Sequence, residues 1–206
     1  MKFFLDSASL KEIEQFSECI TGITTNPSLL KASEKESFLK NITQFSFEHI
    51  SLQLEEEDFL KQQKEAEYLL NLVPKATIKV SFSLQSIKIL KWLIHHQYPT
   101  NVTLIFNEVQ ALLVETLGAT YASFFIGRLL DQKQNAFDIL SQAKQSLKTT
   151  KILAASLRSL EQVELAIHAG AEVLTIPAKV FNEIFEHPLT LKGIELFKSS
   201  SLLGKR

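Results

Sequence analysis

The segment NVTLIFNEVQALL (101–113) joins a short apolar strand pattern to a helix that begins directly after it. Such a continuous apolar run is typical of a strand that is buried on both faces of a parallel sheet. Asn101 and Thr103 interrupt the apolar pattern two positions apart, and alternation along a strand points both side chains to one face. The segment therefore predicts a strand–helix unit that carries an amide and a hydroxyl on its inward face.

The same alternation of strand and helix patterns recurs along the chain. Eight β-rich runs are predicted at residues 2–6, 22–25, 49–54, 76–80, 101–106, 121–127, 151–156 and 173–177. Amphipathic helices are predicted between them, most clearly at residues 9–16, 59–73, 83–96, 136–147 and 159–170, the last with Gly170 as its C-cap. Eight such units close into a parallel (β/α)8 TIM barrel, which is an α/β fold.

An open, doubly wound sheet is the alternative arrangement of these elements. It would leave unpaired edge strands, and its usual phosphate-binding turn, GxGxxG, is not spelled by any of the six glycines. The closed barrel is therefore favoured, although 206 residues lie near the lower size limit of that fold. We predict a single barrel domain over residues 1–206.

The C-terminal tail follows the eighth predicted strand. Its segment HPLTLKGIELFKSS (187–200) predicts an extra C-terminal helix, which could pack on the barrel or on a neighbouring subunit. The final residues, SSSLLGKR (199–206), are expected to fray, as chain termini commonly do.

Composition excludes several classes of protein. With 22 basic and 23 acidic residues, the chain offers no large basic surface, so nucleic acid is not expected as a partner. The single cysteine, Cys19, excludes an internal disulfide and fits a reducing compartment, and we expect it to be a buried, inert thiol. No signal peptide and no apolar run of about 18 residues occurs, so we expect a soluble cytoplasmic protein without a membrane partner.

Polar side chains mark the ends of several predicted strands, where a barrel keeps its catalytic groups. Asp6 ends the first strand, Asn26 follows the second, Gln53 nearly ends the third, and Ser156 and Arg158 end the seventh. Each also has a purely structural interpretation. Asp6 could cap the first helix, and Asn26 could shape the turn before a proline.

Lys79 is the most informative of these polar residues. In ATIKVSF (76–82) it has apolar neighbours within a strand that is expected to be covered on both faces. Burial lowers the pKa of an ammonium group, and a neutral amine can attack a carbonyl to form a Schiff base. Lys88 and Lys91 lie on a predicted helix and fit the ordinary interpretation of a surface lysine, whereas Lys79 does not.

These residues lie in segments that resemble the transaldolase family, in the family's order and over most of the chain. The matching segments are FFLDSA (3–8), GITTNPSLL (22–30), IKV (78–80), TNVTLIFNEVQALL (100–113), GATYASFFIGRLLD (118–131), ILAASLRS (152–159), AGAEVLTIP (169–177) and HPLTLKGIELF (187–197). The chain length resembles the compact branch, which contains small transaldolases and fructose-6-phosphate aldolases. The resemblance implies a class I aldolase-like barrel that transfers a dihydroxyacetone unit between sugar phosphates through a Schiff base, without metal or cofactor.

The resemblance also implies roles for the residues that would act on the donor sugar. Lys79 matches the Schiff-base lysine, and Asp6 matches the carboxylate that takes the donor hydroxyl proton. Thr103 matches the hydroxyl that positions a catalytic water, and Gln53 stands where classical transaldolases carry a water-activating glutamate. The residues that would hold the donor hydroxyls are Asn26, Asn101 and Ser156.

A second set of matched residues would bind the substrate phosphate. Ser123, Phe125 and Arg128 match a family set in which the arginine binds the phosphate, and Arg158 would form the second arm of the clamp. A guanidinium group suits this role because its planar fork donates to phosphate oxygens in pairs.

The sequence departs from the family pattern at several positions. Val80 and Ser81 follow Lys79 where the family usually has a proline shortly after the lysine, and Phe124 replaces another common proline. Gln53 is typical of the fructose-6-phosphate aldolase type, whereas Phe125 is typical of transaldolases.

Three functions therefore stay open. The first is a transaldolase of the non-oxidative pentose phosphate pathway, and the second is a fructose-6-phosphate aldolase that releases free dihydroxyacetone. The third is a barrel that binds sugar phosphates without turnover. The resemblance further implies a homo-oligomer, a ring of subunits and possibly a decamer, in which a C-terminal helix reaches a neighbour.

Overall fold

The computed structural model describes residues 1–203 of the chain, with side chains up to residue 200. Eight parallel strands follow one another around a closed barrel, and the last strand pairs with the first. The strands are β1 (Lys2–Asp6), β2 (Gly22–Thr24), β3 (His49–Gln53), β4 (Ala76–Ser81), β5 (Thr100–Ile105), β6 (Tyr121–Phe125), β7 (Lys151–Ala155) and β8 (Val173–Ile176). The predicted TIM barrel is confirmed, because closure leaves no edge strand.

Helices connect the strands and cover the outside of the barrel. Within residues 1–203 they are α1 (Leu10–Phe16), α2 (Ala32–Ile42), α3 (Phe59–Leu72), α4 (Ile87–His95), α5 (Glu108–Leu117), α6 (Ile126–Asp131), α7 (Ala136–Ser146), α8 (Leu160–His168), α9 (Ala178–Phe185) and α10 (Pro188–Leu203). Asn107 explains the abrupt start of α5, since its side chain accepts a hydrogen bond from the Gln110 amide. Gly170 lies just past α8 at φ +93°, as its predicted capping role requires.

Alternation along the strands produces two apolar layers. Outward residues such as Ile78, Val80 and Val102 join the large core between the sheet and the helices. A smaller cluster of Phe4, Tyr121, Leu153, Ala155 and Val173 is separate from that core. Because Lys79 alternates with Ile78 and Val80, it points inward, away from the helices.

Two strands differ from their predicted form at the end that carries the site. The sixth strand was predicted to reach residue 127, but β6 ends at Phe125 and α6 begins at Ile126. In β5 the register with β6 shifts between Val102 and Ile105, and Leu104 adopts φ +63°. An extra residue therefore sits in β5 as a β-bulge, which local hydrophobic patterning did not indicate.

The periphery also corrects two predictions. Cys19 lies in the turn after α1 and is exposed, so the expectation of a buried thiol was wrong. The tail was expected to fray from residue 199, but α10 continues to Leu203, and only residues 204–206 of that segment lie outside the described residues. No helix within residues 1–203 is long and apolar enough to cross a membrane.

Candidate active site

A cavity of about 420 Å³ opens at the carboxyl ends of the strands. Every residue predicted for the site except Asn101 lines it: Asp6, Asn26, Gln53, Lys79, Thr103, Ser123, Phe125, Arg128, Ser156 and Arg158. Thr24, Leu104 and Thr175 also line the cavity and were not predicted. The fold thus brings together side chains from all eight strands or the turns that follow them.

Lys79 is the buried cation of this cavity. It lies in β4 in register with Gln53 of β3 and Asn101 of β5, and it is only 4% exposed. Its Nζ donates a hydrogen bond to the Thr25 carbonyl oxygen at 3.0 Å. Burial lowers the pKa of Lys79 to about 8, against the opposing attraction of Asp6. A substantial neutral fraction of the amine is therefore available near neutral pH.

Asp6 is the carboxylate whose charge interacts with that of Lys79 in the cavity. Burial raises its pKa, while the Lys79 charge and a hydrogen bond from Thr24 Oγ1 at 2.9 Å act in the opposite direction. Thr24 Oγ1 also lies 2.6 Å from Thr175 Oγ1, which completes a hydrogen-bonded support below the carboxylate. Ser9, not Asp6, caps α1, so the purely structural interpretation of Asp6 is not supported.

Thr103 presents an unpaired hydroxyl at the cavity. Its Oγ1 is buried and has no hydrogen-bond partner within the described residues, which is unusual for a buried polar atom and indicates a place for a bound water or a substrate hydroxyl. The neighbouring Leu104 is held at positive φ, a rare conformation for leucine that concentrates at functional sites. The bulge therefore sets the direction of both side chains at the mouth.

Asn101 lies below the cavity instead of lining it. It is fully buried, its Nδ2 donates to Ser51 Oγ at 3.0 Å, and its Oδ1 accepts from Ser123 Oγ at 2.6 Å. Its inward orientation agrees with the prediction from strand alternation. Its contacts in this structure are to other side chains of the barrel interior.

Asn26 combines two of its predicted roles. Its Oδ1 accepts hydrogen bonds from the backbone amides of Ser28 and Leu29, so the residue shapes the turn after β2 as one interpretation expected. The residue also lines the cavity beside Pro27. The turn therefore holds the Asn26 side chain at the rim.

The two arginines lie together on the opposite side of the mouth, after β6 and β7. The Arg128 guanidinium lies over the Phe125 ring, 5.0 Å from its centroid. Arg158 is held by Asp131, with Nη1 and Nη2 at 2.6 and 2.8 Å from the two carboxylate oxygens. Asp131 was not predicted, although it closes the segment GRLLD (127–131) that supplies Arg128.

Gly127 explains why β6 turns into α6 at this point. Its amide donates to the Ser156 carbonyl at 3.1 Å, and a Cβ at Gly127 would lie 2.5 Å from that oxygen and 2.7 Å from Arg158 Nε. Only glycine allows this close approach of the two turns. The approach brings both arginines to the same rim.

The loop after β4 is held by hydrogen bonds among its serines. Ser83 and Ser86 bond reciprocally, each side-chain oxygen accepting from the other residue's backbone amide at 3.1 Å. Ser81 Oγ accepts from Gln53 Nε2 at 3.1 Å, which ties the β4 loop to the third strand. Glu55, two residues beyond Gln53, is a carboxylate that could replace a water-activating glutamate on β3, but it is exposed and paired with Lys35.

Fold and site together define a class I aldolase-like barrel, with a buried lysine and a carboxylate at the mouth and two arginines at its rim. The family model described as transaldolase/fructose-6-phosphate aldolase matches residues 3–203. The chain belongs to that family.

Relatives and solved structures agree with this placement. A probable transaldolase of Geobacillus sp. (strain WCH70) is 40% identical over 206 residues, covering 96% of each chain. A probable transaldolase of Lactiplantibacillus plantarum is 37% identical over 211 residues, covering 97% of this chain and 95% of the other. Among solved structures, a 3-hexulose-6-phosphate synthase superposes with a TM-score of 0.64 at 16% identity, over 88% of this chain and 92% of that one. The last similarity shows the fold alone.

Proposed function

We propose that this chain is a transaldolase, a transferase of ketone units that moves dihydroxyacetone from sedoheptulose 7-phosphate or fructose 6-phosphate to an aldose phosphate. Glyceraldehyde 3-phosphate and erythrose 4-phosphate are the acceptors, and the reaction belongs to the non-oxidative pentose phosphate pathway in the cytoplasm. The observation that carries the proposal is the buried Lys79 amine, whose pKa is lowered to about 8 in a cavity that also holds Asp6. Family membership and the names of the relatives support the same activity.

The chemistry begins at Lys79. Its neutral amine attacks the C2 carbonyl of the donor ketose, and loss of water gives a protonated imine. Asp6 accepts the proton of the C4 hydroxyl while the C3–C4 bond breaks, and the electron pair of that bond moves into the imine to give an enamine. The shortened aldose phosphate leaves, and the dihydroxyacetone unit stays on the lysine.

The second half of the reaction reverses these steps with the acceptor. The enamine carbon attacks the acceptor aldehyde, and Asp6 returns its proton to the new hydroxyl. Thr103 holds the water that hydrolyses the imine, with Gln53 as a second hydrogen-bonding group that cannot accept a proton at neutral pH. The unpaired Thr103 hydroxyl at the cavity supports this role.

The remaining site residues bind the sugar phosphate. Arg128 and Arg158 hold the phosphate of donor and acceptor in turn. The two hydrogen bonds to Asp131 keep the Arg158 guanidinium in one orientation. Asn26 and Ser156 at the mouth, with Asn101 and Ser123 on its floor, complete the set for the sugar hydroxyls. The proposal needs neither a metal nor a cofactor.

We also propose that the chain works as a homo-oligomer, with α10 packed against a neighbouring subunit in a ring that could reach a decamer. Among the α10 side chains that the structure describes, up to residue 200, five large apolar ones are exposed: Leu189, Leu191, Ile194, Leu196 and Phe197. Exposed apolar patches of this kind commonly mark interfaces.

Borohydride reduction with fructose 6-phosphate tests the Schiff base, because only a covalent imine yields a stable adduct. We expect Lys79→Met to abolish trapping and Lys88→Met, at an exposed helix position, to leave it intact. Arg128→Ala should retain trapping but require a higher substrate concentration. An unchanged yield in Lys79→Met would refute the assignment, and absence of trapping in the unaltered protein would favour the barrel that only binds sugar phosphates.

A fructose-6-phosphate aldolase is the second candidate, favoured by Gln53 at the water-activating position. In that enzyme, water protonates and hydrolyses the enamine, so free dihydroxyacetone is released. Adding erythrose 4-phosphate separates the two activities. A transaldolase forms sedoheptulose 7-phosphate, whereas the aldolase releases dihydroxyacetone whether or not the acceptor is present.

A further inference from the structure

A chain of buried polar side chains runs through the barrel interior and ends at the cavity. Thr77 Oγ1 lies 3.2 Å from His49 Nδ1, and His49 Nε2 lies 2.7 Å from Ser51 Oγ. Ser51 Oγ accepts from Asn101 Nδ2, and Asn101 Oδ1 accepts from Ser123 Oγ. All five side chains are buried, and Ser123 lines the cavity beside Lys79. His49 is the only member with two neutral tautomers, which carry the proton on different ring nitrogens.

The direction of each bond in this chain follows from counting protons. A serine hydroxyl has one proton, and Ser51 already accepts a hydrogen bond from Asn101. Among residues 1–203, no other acceptor lies within hydrogen-bond distance of Ser51 Oγ, so this buried proton is satisfied only when it is directed at His49 Nε2, which then carries none. The neutral imidazole then has its proton on Nδ1 and donates it to Thr77.

The surroundings of His49 keep the ring neutral. Its ring stacks on Phe4 at a centroid distance of 4.4 Å and meets the edge of Tyr121 at 4.8 Å. Burial lowers the pKa of His49 to about 3, with smaller contributions from the charges of Lys2 and Lys79. A doubly protonated ring would also direct a second donor at Ser51 and break the order of the chain.

We propose that His49 is a positioning residue, which as its Nδ1–H tautomer fixes the direction of this hydrogen-bond chain and makes the Ser123 oxygen an acceptor at the cavity floor. Ser123 donates its own proton to Asn101, so its free lone pairs are available to accept a hydrogen bond from a substrate group such as a sugar hydroxyl. The opposite tautomer would reverse each bond after rotation of the Asn101 amide, and Ser123 would then offer a donor. The kinetic consequence rests on the proposed transaldolase-type activity, whereas the tautomer does not.

The tautomer is measured by ¹⁵N NMR of the histidine-labelled protein, in which Nδ1–H and Nε2–H imidazoles give different nitrogen shifts. The His49 signals are identified among those of the five histidines by their loss in His49→Gln. We expect a neutral Nδ1–H ring at neutral pH. An Nε2–H ring or an imidazolium would overturn the proposal, whatever the protein's activity.

Variants test the positioning role. His49→Phe keeps a ring against Phe4 but removes the acceptor for Ser51, and we expect the rate of borohydride-trapped imine formation per folded molecule to fall roughly tenfold. In His49→Gln, a carbonyl can accept from Ser51, so most of that rate should return. Val173→Ala, in the same small apolar cluster, is the matched control that loses packing but leaves the hydrogen-bond chain intact.

The NMR measurement and the kinetic variants distinguish failure of this proposal from failure of the proposed function. If His49→Phe lowers the melting temperature as Val173→Ala does but leaves the trapping rate of the folded fraction unchanged, His49 is structural and the proposal is overturned. If borohydride traps no adduct on the unaltered protein, the proposed function fails. The tautomer measurement alone then decides whether the hydrogen bonds from His49 to Ser123 have the proposed direction.

Discussion

At the scale of single residues, the burial of Lys79 both lowers the stability of the fold and makes the amine reactive. Its burial in β4 removes the ammonium from water, which opposes folding and at the same time frees the amine for attack on a carbonyl. Asp6 experiences the opposite effect, since burial raises the pKa of its carboxyl. A raised carboxyl pKa makes Asp6 a stronger proton acceptor, which is the property that its proposed role toward the donor hydroxyl requires.

The free-energy penalty of burying the charged Lys79 predicts how the stability of the protein depends on pH. Below about pH 8 the lysine is protonated in both the folded and the unfolded chain, so the full burial penalty applies. Between about 8 and 10.5 the folded chain has released a proton that the unfolded chain still holds, so the stability of the unaltered protein rises with pH relative to a variant without the amine. Lys79→Met should therefore be the more stable protein at neutral pH, and its advantage should shrink by roughly 3 kcal/mol across that window.

Urea unfolding of Lys79→Met and of the unaltered protein at about pH 7 and about pH 10 measures this difference. Lys88→Met, at an exposed position, serves as the control and should show the same difference at both pH values. A pH-independent effect of Lys79→Met would show that the fold does not lower the pKa of Lys79.

At the scale of elements, the junction of β6 with α6 determines where the arginines lie. The sequence suggested a strand up to residue 127, because isoleucine and phenylalanine favour strands. Contact with the β7 turn overrides this preference, since the Gly127 amide reaches the Ser156 carbonyl and the helix begins there. Arg128 consequently projects from the first turn of α6.

Gly127→Ala should disturb phosphate binding more than it disturbs the reaction with unphosphorylated substrate. The added Cβ would meet the Ser156 carbonyl at 2.5 Å and Arg158 at 2.7 Å, so the two turns must separate. We expect KM for fructose 6-phosphate to rise on the order of tenfold, with a smaller change in trapping by free dihydroxyacetone.

Leu129→Val, at a buried position of the same helix, is the control for this experiment. It removes packing worth roughly 1 kcal/mol without approaching Ser156, so the two substrates should be affected equally. If Gly127→Ala affected both substrates equally, the junction of β6 with α6 would not be what positions the phosphate-binding arginines.

At the scale of the whole molecule, the barrel is complete but its C-terminal helix is not covered. Leu189 and Phe197 of α10 are 73% and 78% exposed, whereas α2 and α4 bury their large apolar side chains in the core against the sheet. A helix that exposes this much apolar surface gains free energy when another surface covers it.

Charge on this surface should weaken assembly. Phe197→Asp and Leu189→Asp each place a carboxylate where we propose that a neighbouring subunit packs, and a buried unpaired charge is costly. We expect the sedimentation coefficient to fall toward that of smaller species, while Ser199→Asp, which adds the same charge at an exposed polar position of α10, should change it little. An unchanged size in both apolar variants would contradict an interface at α10.

The sequence by itself determined the barrel, the boundaries of most strands to within a residue or two, and the group of side chains at the mouth. The barrel, the strand boundaries and the inward direction of Lys79, Asn101 and Thr103 depend on local periodicity, because residues alternate between the two faces of a strand. Ser123, Phe125 and Arg128 were assigned to the mouth only through the resemblance to a family. The resemblance to a family supplied the chemical roles of the same residues.

Only the tertiary structure decided how these side chains meet across strands. The bulge at Leu104, the pairing of Arg158 with Asp131, and the chain from His49 to Ser123 join residues that are distant in sequence. Such contacts depend on the register between neighbouring strands and on the closure of the sheet, which no window of a single strand contains. For that reason His49, which the sequence analysis did not single out, lies in a buried series of hydrogen bonds that leads to the cavity.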